Sequence, residues 1–196
     1  MKIKIPFINP KISAISAIFA GVLFFISSIL NLLAFAIQNK VISPTANSSI
    51  KYITSNFSSL LFSATLFLFL FSLFIYLGYF KISKNKSFRL AVYIVFAALI
   101  ISSTTHLLSI NSTELSNLNP IKTAHSNTIL AISYIFLSIT LIKIKSPILT
   151  ALAVLYIIQA LVWTSLNFIP VKIMDVTIAI RILEAVFFFN LSGTKR

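Results

Sequence analysis

The sequence predicts an all-α fold, a polytopic integral membrane bundle of about six transmembrane helices with both termini in the cytoplasm. Two observations carry this. Of the 196 residues, 58% are apolar and only 10% charged, and the mean hydropathy is +1.01, against a usual apolar share of about 45 to 50% and charged share of about 25%. Six crossings at about 20 residues each use roughly 120 residues, close to the whole apolar inventory, and no soluble domain of this length has an interior large enough to hide it. The second observation is where the cations fall. Lys2, Lys4, Lys11, Lys81, Lys84, Lys86, Arg89, Lys143, Lys145, Lys195 and Arg196 lie on one side of the predicted crossings, whereas Lys40, Lys51, Lys122 and Lys172 lie on the other. The richer side is the cytoplasmic one by the positive-inside rule. A net charge of +13 is thereby explained as loop bias, with no nucleic-acid partner required. The partners expected instead are the lipid bilayer of the cell membrane and other membrane subunits.

The chain reads as a single membrane domain, residues 1–196, with spans at about 13–37, 60–80, 90–110, 126–142, 147–168 and 173–192. The first is uncharged between Lys11 and Lys40 and exceeds the 7 to 15 apolar residues of a cleaved signal peptide, so it reads as a retained helix. Its Ser13, Ala17 and Gly21 form a ladder of small residues suited to close helix packing. The second span is dense in phenylalanine, and the third carries Ser102, Ser103, Thr104, Thr105 and His106 toward its outer end. The fourth opens with His125 and Asn127; the fifth has Ser146 as N-cap and Pro147 at its first helical position. The sixth is unusual in carrying Arg181 and Glu184 in its middle. All six prolines fall at predicted ends or in loops, where a missing N–H costs least. The spans should therefore be continuous, unlike the Gly- and Pro-interrupted helices of many ion-coupled transporters.

The polar residues are unevenly placed by depth. Asn31, Ser102, Ser103, Thr104, Thr105, His106, Gln159 and Asp175 fall in the outer half. Phe67, Phe69, Phe71, Phe74 and Phe187 to Phe189 fall in the inner half, with Tyr76, Tyr79 and Tyr93 placed for an aromatic belt. This pattern predicts a hydrated, outward-facing hollow above an aromatic floor. The bland reading of the same serines and threonines is back-bonding to their own helix or contact between helices.

Arg181 and Glu184 lie about 9 Å and 13.5 Å below Asp175 in a core roughly 30 Å thick. A charge at such depth costs about 2.5 to 3.5 kcal/mol on insertion scales. Spaced i, i+3, the two are neighbours on one helix face and offset each other. The structural expectation is a self-neutralising pair turned into the bundle and anchored by Gln159; the functional one is a face where Arg181 meets an anionic group or Glu184 exchanges a proton.

No cysteine is present, which removes disulfides, thiolate metal sites and palmitoylation. No span contains paired acids, a zinc-protease motif, a glycine-rich phosphate loop or a Ser/His/acid set. The chain is expected not to be an enzyme and to hold neither cofactor nor metal. The leading functional expectation is a non-enzymatic multi-pass protein, either an accessory subunit of a membrane complex or a binder of a small amphipathic ligand in the outer hollow. The alternative is a small transporter or proton-coupled carrier using Arg181 and Glu184. A third is a haem b protein with His106 and His125 as axial ligands. The outer loops carry glycosylation triplets at Asn47, Asn56 and Asn111.

Overall fold

The structure is a computed structural model that describes residues 9–38, 41, 52, 56–82, 85–111, 120–165 and 176–193. Among these residues the chain forms six helices and no strand: α1 (Pro10–Gln38), α2 (Phe57–Ile82), α3 (Lys86–Asn111), α4 (Pro120–Ile142), α5 (Pro147–Ser165) and α6 (Thr177–Gly193).

Helix starts follow local chemistry. Pro10, Pro120 and Pro147 are each the first residue of their helix, the one helical position where the ring's fixed φ helps and its absent N–H is not missed. Asn9 caps α1 by accepting the Lys11 N–H at 3.1 Å, and Asn85 caps α3 by accepting that of Ser87 at 3.0 Å. The Ser146 carbonyl accepts the Thr150 N–H at 2.8 Å as α5 begins. The fourth helix starts at Pro120, six residues before the span expected from about residue 126. The sixth starts at Thr177; residues 171–175 lie outside the description.

Four helices are long and apolar enough to cross a membrane, over Pro10–Leu30, Phe62–Ile82, Lys86–Thr105 and Pro147–Thr164. In α4 the apolar part is the shorter Thr128–Ile142. Large apolar side chains cover the outside of the bundle, among them Leu161 at 61% and Ile182 at 60% exposed. Such continuous apolar cover is costly in water and natural against hydrocarbon.

Each helix packs on the next, and α6 returns to α1, so the six form a closed ring in which the α5–α6 contact is the least extensive. Only three residues separate α2 from α3 and four separate α4 from α5, short enough to make each pair an antiparallel hairpin. In the second turn Ile144 N–H meets the Leu141 carbonyl at 3.0 Å and Lys145 takes a left-handed φ of 55°. Contacts at one end of the ring fix the alternation. Ser13, near the start of α1, donates to the Phe74 carbonyl of α2 at 3.0 Å. Tyr79 of α2 meets Phe88 at the start of α3 edge-on, and Phe187 and Phe188 of α6 at 6.0 Å and 5.0 Å.

The small-residue ladder forms the tight seams of the ring. Ser13 and Ala17 are buried; a Cβ on Gly21 would lie 3.4 Å from the Arg181 Cβ, an ordinary contact. Gly78 is different. A Cβ there would fall 2.8 Å from the Ser13 Cβ and 2.9 Å from the Phe188 ring, so α1, α2 and α6 meet at a point where only glycine fits.

Candidate functional site: a buried ion pair beneath tyrosines

The α6 face turned inward reads Thr177, Ile180, Arg181, Glu184, Ala185, Phe187 and Phe188. Helical periodicity thus places the two charges among apolar neighbours, with Arg181 6% and Glu184 0% exposed. Arg181 Nη1 donates to Glu184 Oε2 at 2.7 Å. The second guanidinium nitrogen, Nη2, donates to Ser72 Oγ of α2 at 3.2 Å. The Tyr156 hydroxyl of α5 donates to the remaining carboxylate oxygen, Glu184 Oε1. Both carboxylate oxygens and both terminal guanidinium nitrogens are therefore engaged, as a buried pair requires if attraction is to offset desolvation.

A second layer of tyrosines surrounds this network. The hydroxyls of Tyr76 (α2) and Tyr134 (α4) are hydrogen-bonded at 3.1 Å across the ring. The Tyr134 ring rests on Tyr156 at 4.8 Å and is stacked on Trp163 at 5.2 Å. Tyr79 is fully buried, and its hydroxyl has no hydrogen-bond partner among the described residues. The neighbourhood is rich in hydroxyl groups and almost wholly buried, Arg181 alone of the pair keeping a small exposed area.

Several expectations change here. The aromatic belt loses Tyr76 and Tyr79, which are 0% exposed and point inward; Tyr93, 57% exposed, does face outward. Successive helical positions turn by about 100°, so the phenylalanines do not form one floor. Phe67, Phe74 and Phe189 face outward, and Phe188 is buried. Gln159 is fully buried but does not anchor the pair: neither amide atom has a hydrogen-bond partner among the described residues. Tyr156, one turn earlier on the same face, makes that contact instead.

Of the other polar residues, Ser102 is buried, Ser103 and Thr105 are half-buried, and Thr104 is exposed. Thr105 donates to the Ile101 carbonyl of its own helix at 2.8 Å, and Ser28, Ser133, Ser138 and Thr140 back-bond in the same way. Asn31, His106 and His125 fall on α1, α3 and α4, but their side chains lie outside the described residues, as do Asp175, Asn47 and the side chain of Asn111. Asn56 is described and donates to the Tyr52 carbonyl at 3.0 Å. Among the described residues no three His, Asp or Glu side chains converge.

Ser72, Tyr76, Tyr79, Tyr134 and Tyr156 were not singled out by sequence as partners of the ion pair. A trace of them was available: Ser72, Tyr76 and Tyr79 recur at i, i+4, i+7 in an otherwise phenylalanine- and leucine-rich helix, which is one face of a helix.

A cleft of about 280 Å³ runs between α1 and α6 and reaches the network at Arg181; Ala17, Gly21, Val22, Phe25 and Ile178 also line it. The chain matches no protein-family model, no curated protein and no solved structure.

Proposed function

We propose that the chain is a non-enzymatic, six-span protein of the cell membrane with both termini in the cytoplasm, and that it acts by binding within the bilayer. Its role is that of an accessory subunit of a larger membrane complex or of a holder of a small amphipathic ligand. One observation carries this reading. The buried charges among the described residues, Arg181 and Glu184, neutralise each other and are closed off by Tyr156 and Ser72. A relay or substrate site needs a free valence, and this network is built as a pin. The α1–α6 cleft, apolar apart from Arg181 at its base, supports the ligand branch.

A second reading, a small carrier working through Arg181 and Glu184, is favoured by one feature. Gln159 places in the core, one turn from Tyr156, an amide with no hydrogen-bond partner among the described residues, which is hydrogen-bonding capacity a carrier could use. The double replacement Arg181→Gln with Glu184→Gln separates the two. Normal accumulation with the full phenotype of the native gene supports the pin, whereas normal accumulation with the deletion phenotype supports the carrier. Purification in mild detergent then distinguishes a co-purifying polypeptide from a retained amphiphile, and Gly21→Leu, which fills the cleft, should release only the amphiphile. A reporter fused at Lys195 tests the topology: a signal from outside the cell ends the six-span proposal.

A further inference from the structure

The α1–α6 cleft reaches the ion pair at Arg181 and opens between side chains on the outside of the bundle. Ile18, Val22 and Phe25 of α1 and Ile182 of α6 line it, and each is exposed, so a lipid-soluble molecule can enter from the bilayer. Its volume of about 280 Å³ is just under the roughly 300 to 1,000 Å³ of pockets that enclose a drug-sized ligand. That is room for one ring, with any tail left in the surrounding lipid, and Phe25 offers the ring an aromatic neighbour.

Depth decides what the polar part of that molecule can be. The apolar span of α1 is Pro10–Leu30, and Gly21 lies about 16 Å from one end of it and about 14 Å from the other. Arg181 is level with Gly21, since a Cβ there would lie 3.4 Å from the Arg181 Cβ. The cleft therefore meets Arg181 near the centre of a hydrocarbon core roughly 30 Å thick, beyond the reach of phospholipid headgroups and ester carbonyls held at the interface. Arg181 lines the cleft, whereas Glu184 is wholly buried behind it. The charge is already neutralised by Glu184, so an anionic head would bring an uncompensated charge to the bilayer centre. Hydrogen-bonding capacity remains. A guanidinium carries five N–H donors and no acceptor, and that of Arg181 makes two hydrogen bonds among the described residues, to Glu184 and Ser72. Its complement is a neutral acceptor on a lipid that has no headgroup to hold it at the interface.

We propose that the α1–α6 cleft holds the head ring of an isoprenoid quinone, with one ring carbonyl accepting a hydrogen bond from Arg181 and the tail in the bilayer. This rests on the ligand branch of the function proposed above and names the class of that ligand. A quinone meets each condition: a single flat ring, carbonyl oxygens that accept without carrying charge, and no headgroup. Glu184 and Ser72 keep their bonds to Arg181, so binding opens no part of the buried network.

The test offers three probes to the detergent-purified full chain and counts what is retained by native mass spectrometry. They are a para-benzoquinone with a decyl tail, decylbenzene, which keeps ring and tail without carbonyls, and decanoate, which carries a charge. One quinone should be retained per chain, and the other two roughly tenfold more weakly or worse. With the ring carbonyls labelled in carbon-13, one infrared carbonyl band should move to lower frequency on binding. In Arg181→Met/Glu184→Gln that shift should vanish and retention should fall roughly tenfold or more. Gly21→Leu should abolish retention with the ion pair in place; Ile178→Trp fills the same cleft from α6 if the first variant loses helicity by circular dichroism. Quinone retention that survives both cleft-filling variants overturns the proposal, as does an unshifted carbonyl band. Equal retention of decylbenzene or decanoate, released by Gly21→Leu, overturns the quinone while leaving the amphiphile reading in place. Retention of no probe, with no amphiphile carried through purification, overturns both.

Discussion

The hydroxyl of Tyr156 on α5 donates to Glu184 on α6, which puts a buried hydrogen bond across the least extensive junction of the ring. Removing that donor leaves a carboxylate oxygen in the core without its proton donor. Tyr156→Phe should therefore cost about 1.5 to 3 kcal/mol, the range for hydrogen bonds to charged groups. Thermal unfolding in detergent reads this directly. Tyr76→Phe, which loses only a bond between neutral hydroxyls, should cost about 1 kcal/mol; equal losses would mean that Tyr156 carries no special weight.

The ion pair predicts strong non-additivity. Arg181→Gln or Glu184→Gln alone should destabilise by about 3 to 5 kcal/mol, because each leaves one uncompensated buried charge. The double replacement should recover most of that loss. A double-mutant cycle on accumulation and thermal stability measures the coupling, and purely additive losses would contradict the closed network described here.

Gly78 and Gly21 should respond in opposite ways to the same substitution. Gly78→Ala forces a methyl into Ser13 and Phe188 and should cost about 1 to 3 kcal/mol or more by overpacking. Ser13→Gly in that background should restore part of the loss. Gly21→Ala meets only ordinary contact and gains helix propensity, worth up to about 1 kcal/mol. A Gly78→Ala protein as stable as the native one would show that α1 and α2 are not seated as described.

Gln159→Leu removes an amide with no partner among the described residues and substitutes an apolar side chain. Leaving a buried polar group unsatisfied costs about 1 to 3 kcal/mol, so the variant should unfold at higher temperature. A lower unfolding temperature would instead reveal that the amide holds something in the native protein.

The absence of cysteine makes accessibility simple to map. Single cysteines at Ser103 and Thr105, both half-buried, test the outward-facing hollow: they should react with a membrane-impermeant thiol reagent if water reaches that depth. Cysteines at Phe71 and Phe188 should stay protected. Protection at all four positions would assign the α3 polar run to contacts between helices.

Helix number and the start of α5 at Pro147 were legible in the sequence because they depend on local properties: apolar length, proline tolerance and N-capping all act within a few residues. Arg181 and Glu184 were legible as a pair for the same reason, being one turn apart on a single helix. Their partners were not. Ser72 is 109 residues from Arg181 and Tyr156 is 28 from Glu184, and hydropathy gives no means of telling which of several tyrosines turns inward. Tyr76, Tyr79 and Tyr93 look alike in a linear reading, yet ring packing buries the first two and leaves the third on the surface. Gln159 shows the converse, since its depth was a fair guide to burial but not to its bonding.

Ring closure also sets an order of events during synthesis. Arg181 and Glu184 are made on α6, five helices after α1, when Ser72 and Tyr156 have already been delivered by α2 and α5. Until α6 arrives, the face of α1 that it will cover has no partner helix there, and Ser72 and Tyr156 lack the groups they bind in the finished fold. A chain ending after α5 should therefore expose the face of α1 that α6 covers in the finished ring.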